Sequence, residues 1–159
     1  MFNKFVDNSI NKIGISYSFK EVILKDGTKV TLKLIDTAGQ EKYKSLSKSY
    51  FKYANGVLFI FSLNDISTFY NLRERIKDFE ENNEGTNFVC KYLIGNKNDL
   101  EINVDQNLIE DFKKENTFDY YAYISSKDNS SIDKIFEDMS QVLYDDYKKN
   151  RKNKKKVLN

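Results

Sequence analysis

The 159 residues read as an open α/β sheet flanked by crossover helices. Three features carry that reading. Two alternating apolar and polar runs flank an Asp-Gly turn, continuous apolar runs then alternate with amphipathic segments, and polar loops follow the strand ends. Hydrophobic residues make up 40% and charged residues 31% of an 18.7 kDa chain, enough to bury one core in one domain.

In chain order, Ser16–Lys25 alternates through Tyr17, Phe19, Val22 and Leu24, as a half-buried strand does. Asp26-Gly27 follows, and Lys29–Ile35 alternates again through Val30, Leu32 and Leu34, so the pair reads as a hairpin. The unbroken run Gly56–Phe61 is that of a strand covered on both faces. Ser67–Glu81 places Phe69, Leu72, Ile76 and Phe79 on one face of a helix. Phe88–Ile94 is another apolar strand, Asp105–Asn116 a helix with Leu108, Ile109 and Phe112 on one side, and Asp119–Ile124 a short strand. Ser131–Tyr147 is the last helix, with Ile132, Ile135, Phe136, Met139, Val142 and Leu143 as its stripe. One domain is expected over 1–147, and 148–159 is expected to be a basic, disordered tail.

Composition excludes several chemistries. There is no His, so imidazole bases and His-ligated metals are out. A single Cys, Cys90, excludes an internal disulfide and a Cys-cluster zinc site; in its apolar strand it reads as a packed thiol. The net charge of +2 hides an asymmetry: seven Lys or Arg lie between Lys148 and Lys156, leaving 19 basic against 24 acidic groups elsewhere, a net of −5. An acidic body argues against a nucleic-acid-binding face. No apolar run approaches the roughly 20 residues of a membrane span, and Met1–Ile10 lacks a signal-peptide core, so a reducing, cytoplasmic setting is expected. The 11 Tyr and 12 Phe mostly read as core.

In open α/β sheets, ligands bind beyond the carboxyl ends of the strands. Polar loops stand at three such ends, after Ile35, Ile94 and Ile124. Asn96-Lys97-Asn98-Asp99 offers a carboxylate, which accepts two parallel N–H donors such as guanine N1 and N2; adenine has no such pair. Asp36–Glu41 combines an acid, a Gly whose N–H can approach an anion, and a Gln that can orient water, parts that suit magnesium-assisted phosphoryl transfer. Ser125-Ser126-Lys127 follows the last strand. Each of these, taken alone, is also an ordinary polar turn.

Taken in order, DTAGQE, GNKND and SSK resemble the small Ras-like GTPases, and IGISYSF, KLIDTAGQEKY, SYFKYANGVLFIFSL and GNKNDL resemble Rab segments. The resemblance runs from about Lys4 to Lys149. It implies a P-loop NTPase-like fold and a GTP/GDP switch in vesicle trafficking, with exchange factors, GTPase-activating proteins and effectors as partners. It also implies roles for residues. Asp36 would act on magnesium through a bound water, the Gly39 N–H would meet the γ-phosphate, and Gln40 would orient the hydrolytic water. Asn96 and Asp99 would hold guanine, with Lys97 along the base. Ser125 belongs to the same nucleotide-binding set, in which Ser126 offers its backbone N–H to the guanine oxygen and Lys127 flanks the ring.

The chain departs from that pattern in four places. None of its six glycines opens a G-x-x-x-x-G-K-[ST] motif, so the first strand, the phosphate loop and most of the first helix are expected to be missing. Five or so charge-assisted hydrogen bonds at about 1.5–3 kcal/mol each would go with them, and tight nucleotide binding is not expected. Lys12 stands where the family has a magnesium-ligating Thr before Ile13-Gly14. The C-terminus Lys154-Lys155-Lys156-Val157-Leu158-Asn159 carries no Cys for a lipid anchor, leaving weak contact of the basic tail with anionic lipid, peripheral to intracellular membranes. The family's strand order leaves the strand ending at Ile35 and the strand Gly56–Phe61 with facing, unpaired edges, and poor solubility is the expected result. Two further readings follow from these departures: a degenerate, non-hydrolysing module that binds partners, or a nonfunctional gene fragment.

Overall fold

A computed structural model describes residues 16–37, 49–84 and 88–157. Five strands and three helices follow one another as β1 (Ser16–Ile23), β2 (Lys29–Asp36), β3 (Gly56–Ser62), α1 (Ile66–Asn82), β4 (Cys90–Asn96), α2 (Gln106–Glu115), β5 (Tyr120–Tyr123) and α3 (Asn129–Val157). The order matches the reading of the sequence. Among the described residues the strands form two sheets, an antiparallel β1–β2 pair and a parallel sheet in the order β3–β4–β5.

The hairpin is made by its turn. Gly27 takes φ +80°, a left-handed conformation that only Gly adopts freely, and its N–H donates to Leu24 O at 2.9 Å. The Thr28 N–H donates to Asp26 Oδ1 at 3.0 Å, and the Leu24 N–H to Thr28 O at 2.8 Å. Side chains on the pair alternate as expected, but not with every aromatic inside. Val22 and Leu24 are buried, whereas Tyr17, Phe19 and Ile23 lie on the outer face. The strand is apolar on both faces, so alternation alone could not tell which one the core would take.

The parallel sheet is the middle of three layers. Phe59, Phe61 and Leu93 point to one face and pack with Phe69, Leu72, Ile76 and Phe79 of α1 and with Ile109 and Phe112 of α2. Cys90, Tyr92 and Ile94 point to the other and pack with Ile135 and Met139 of α3. Burial pushes the Cys90 thiol up to about 12, as suits a packed, unreactive sulfur. The helices start where their caps allow: Asp65 accepts from the Ser67 N–H at 3.0 Å, and Asp105 from the Asn107 N–H at 2.7 Å.

Two expectations are corrected. The run Gly56–Phe61 is not covered on both faces throughout, because Ile60 is 53% exposed between buried Phe59 and Phe61. The last helix also runs past Tyr147, where its apolar stripe ends, and continues to Val157. Lys and Arg are good helix formers, and cations suit a helix C-terminus. Lys148 also binds back, to Asp145 at 3.1 Å and to Asp26 in the hairpin turn at 3.8 Å.

Candidate functional site

The loops after β4 and β5 meet beyond the carboxyl ends of their strands. The main chain sets their separation. The Ile124 N–H donates to Gly95 O at 2.8 Å, and the Asn98 N–H donates to Ile124 O at 2.9 Å. Gly95 makes the approach possible, since a Cβ there would lie 2.8 Å from both Leu63 Cδ2 and Tyr123 Cδ1. Lys97 turns the loop with φ +64°, and its N–H donates to Asn96 Oδ1 at 2.8 Å.

Two side chains then organise the site. Asn96 Oδ1 also accepts from the Ser126 N–H at 3.1 Å and Ser126 Oγ at 3.0 Å, so this amide fastens one loop to the other. Asp99 is clamped on both oxygens. Ser125 Oγ donates to Oδ1 at 2.6 Å, and Lys127 Nζ lies 2.9 Å from Oδ2. Ser125 Oγ in turn accepts from the Lys127 N–H at 3.2 Å. The Ser125 hydroxyl and then the Lys127 ammonium hold the Asp99 carboxyl down to about 2, so at neutral pH it is an ionised, acceptor-only group. A carboxylate has about four lone-pair positions, and the clamp uses one on each oxygen. An ionised carboxylate is the group that two parallel N–H donors require.

The structure therefore brings together Asn96, Lys97, Asp99, Ser125, Ser126 and Lys127. Asp36 stands elsewhere, exposed at the end of β2 in the other sheet. Gly39 and Gln40, like Lys12, lie outside the described residues. Among the described residues no cluster of three or more His, Cys, Asp or Glu could hold a metal ion. Sequence reasoning passed over two contributors. Asn98 acts through its main chain and Gly95 through the absence of a side chain, so neither left a signature beyond its place in the loop.

Residues 1–145 match the Ras family. A probable Rab-related GTPase of Acanthamoeba polyphaga mimivirus is 31% identical over 87% of this chain and 65% of its own length. Rab-11B of Dictyostelium discoideum is 31% identical over 94% of this chain and 67% of its own, and human Rab-30 is 31% identical over 87% and 67%. The chain thus spans about two thirds of the length of these curated relatives. The fold is that of a small GTPase, and the chain belongs to the Ras family, with Rab-like relatives.

Proposed function

We propose that this chain is part of a Rab-family GTP/GDP switch acting in intracellular vesicle trafficking. The observation that carries the reading is the clamped, ionised, acceptor-only Asp99 carboxylate between the two loops. In this reading Asp99 takes guanine N1–H and N2–H, Asn96 fastens the two loops, and Lys97 and Lys127 flank the ring. The Ser126 N–H, which now meets Asn96 Oδ1, has the guanine oxygen as its other acceptor.

The base half of a guanine nucleotide fits the donors and acceptors present. The phosphate and magnesium half has one described residue, Asp36, which would act on the ion through a bound water. Gly39 and Gln40 keep the γ-phosphate and water-orienting roles as part of the proposal. Exchange factors, GTPase-activating proteins and effectors are the partners this reading implies, and the exposed Tyr17, Phe19 and Ile23 on the outer face of β1 offer them an apolar surface. The basic end of α3 adds attraction to anionic lipid, about 1 kcal/mol per cation near the surface, peripheral to a membrane. No described helix is long and apolar enough to cross one.

A second reading rests on a specific observation. Lys12 stands at the switch position where the resemblance places a magnesium-ligating Thr. That favours a degenerate module that binds partners without hydrolysing GTP, or a nonfunctional fragment. Fluorescence of labelled GDP, with and without a chelator and against labelled ADP, separates the readings. Magnesium-dependent, guanine-selective binding supports the switch. Absence of binding at millimolar nucleotide supports the module or the fragment.

A further inference from the structure

The side-chain oxygen of Asn96 is oversubscribed. Oδ1 accepts from the Lys97 N–H at 2.8 Å, from Ser126 Oγ at 3.0 Å and from the Ser126 N–H at 3.1 Å. An amide oxygen has two lone pairs, so three donors are one more than it holds at full strength. The same convergence fixes the orientation of the amide, because its NH2 end accepts from none of them. The donors differ in what they join. The Lys97 N–H comes from the adjoining residue and is set by the φ +64° turn, so it ties nothing to the second loop. Both cross-loop donors belong to Ser126, one on its main chain and one on its side chain.

That doubling has a use when a base arrives. A main-chain N–H that turns to the carbonyl oxygen of a base no longer serves Asn96 at full strength. Were it the one tie between Asn96 and Ser126, binding would break that tie and leave Oδ1 with its local donor alone. With the hydroxyl present, the departing N–H takes Oδ1 from three donors to two, the number its lone pairs suit. The other described contacts between the loops are committed elsewhere. The Ser125 hydroxyl and the Lys127 ammonium are engaged on Asp99, and the Asn98 N–H on Ile124 O. Asn96 and Ser126 are both half-buried, where a lost hydrogen bond is made up by water less fully than in an open loop.

We propose that the Ser126 hydroxyl is a positioning group for a base that carries a carbonyl oxygen: it holds Asn96, and with it the loop of Asp99, in place while the Ser126 N–H is given to the base. This role rests on the guanine reading of the site and adds a side chain to it. A base with an amino group in place of that oxygen offers no acceptor, so the N–H stays on Asn96 and the hydroxyl adds nothing to binding. In the empty site the hydroxyl is the surplus donor, so its removal costs little until the base is bound.

The test uses the full 159-residue chain, with GDP, 6-thio-GDP and ADP titrated against it and followed by amide chemical shifts. 6-Thio-GDP keeps the two N–H donors that Asp99 takes and replaces only the base oxygen by sulfur, a weak acceptor. Ser126→Ala is expected to weaken GDP about fivefold, the loss of one hydrogen bond, and 6-thio-GDP by less than about twofold. Ser126→Thr, which keeps a hydroxyl, is expected to bind GDP as the unaltered chain does. The Ser126 amide proton should shift with GDP and stay in place with ADP. Equal GDP affinity of the Ser126→Ala variant and the unaltered chain overturns the proposal and leaves the guanine reading standing. So does an equal loss for GDP and 6-thio-GDP, which means a merely structural hydroxyl. GDP bound no better than ADP, or not bound at millimolar concentration, overturns the guanine reading and this role with it.

Discussion

The chemistry of the site rests on single residues, and Asp99 most of all. Its carboxyl is held at about 2, from 3.8, by Ser125 and then Lys127. A depressed pKa contributes stability that is present above about pH 4 and lost as pH falls toward 2. Asp26, Asp65 and Asp145 are lowered for similar reasons, by Thr28, Ser67 and Lys148 respectively, and add to acid sensitivity in the same direction. Carbon-13 titration of the Asp99 carboxyl in the Ser125→Ala variant is expected to move its midpoint up toward 3.8. A midpoint still near 2 would show that the hydroxyl is not the dominant cause. Lys97 supplies a second test at this scale. At φ +64° a β-branched side chain is strained, so Lys97→Val should cost about 1 kcal/mol or more, while Lys97→Gly stays close to neutral. Urea midpoints of the two variants decide it. That Asn96, Asp99 and Ser125 stand in polar loops at strand ends could be read from the chain. That Asp99 is clamped on both oxygens could not, since the clamp joins residues 26 positions apart.

At the scale of elements, what the sequence announced was periodicity, and what it withheld was which face wins. The core positions of α1, Phe69, Leu72, Ile76 and Phe79, are all buried as their spacing requires. Strand β1 shows the limit: Tyr17 and Phe19 are as apolar as Val22 and Leu24, and only the docking of α3 against Val22 and Leu24's side of the hairpin selects the face. The end of α3 was missed for a different reason. Charge was taken as a signal against packing, but a helix end needs only its own hydrogen bonds and the match between its dipole and its Lys and Arg. Two predictions belong here. Asp105→Ala removes the acceptor for the Asn107 and Leu108 N–H groups at the start of α2 and should destabilise the fold by about 1 kcal/mol in urea. Gly95→Ala drives a methyl against Leu63 and Tyr123, of which Leu63 is fully buried, and should cost about 1–3 kcal/mol. An unchanged midpoint in either variant would remove the corresponding argument.

At the scale of the whole molecule, the two sheets are unequal. The parallel sheet is packed on both faces by helices, with Leu93, Ile94, Ile109 and Cys90 almost fully buried. The hairpin has two fully apolar attachments, Val22 and Leu24, worth about 3–6 kcal/mol together before ordering costs. Further described ties to α3 are polar: Lys20 to Asp133 at 2.7 Å, Lys148 to Asp26 at 3.8 Å, Lys25 N–H to Gln141 Oε1 at 3.4 Å, and Thr28 Oγ1 with Tyr144 Oη at 3.5 Å. Exposed ion pairs of this kind contribute at most about 1 kcal/mol. Among the described residues no strand pairing joins the hairpin to the other sheet. The hairpin is therefore expected to open before the body unfolds, and the thermal transition to be broad rather than sharp. Hydrogen exchange should show β1 and β2 amides released through a partial opening, while β4 amides exchange only on global unfolding. Val22→Ala should speed exchange in β1 and β2 and leave β4 unchanged, because the lost methyl groups stabilise only the docked hairpin. Equal protection in both sheets, with a single sharp transition, would mean that α3 couples them as tightly as a continuous sheet does.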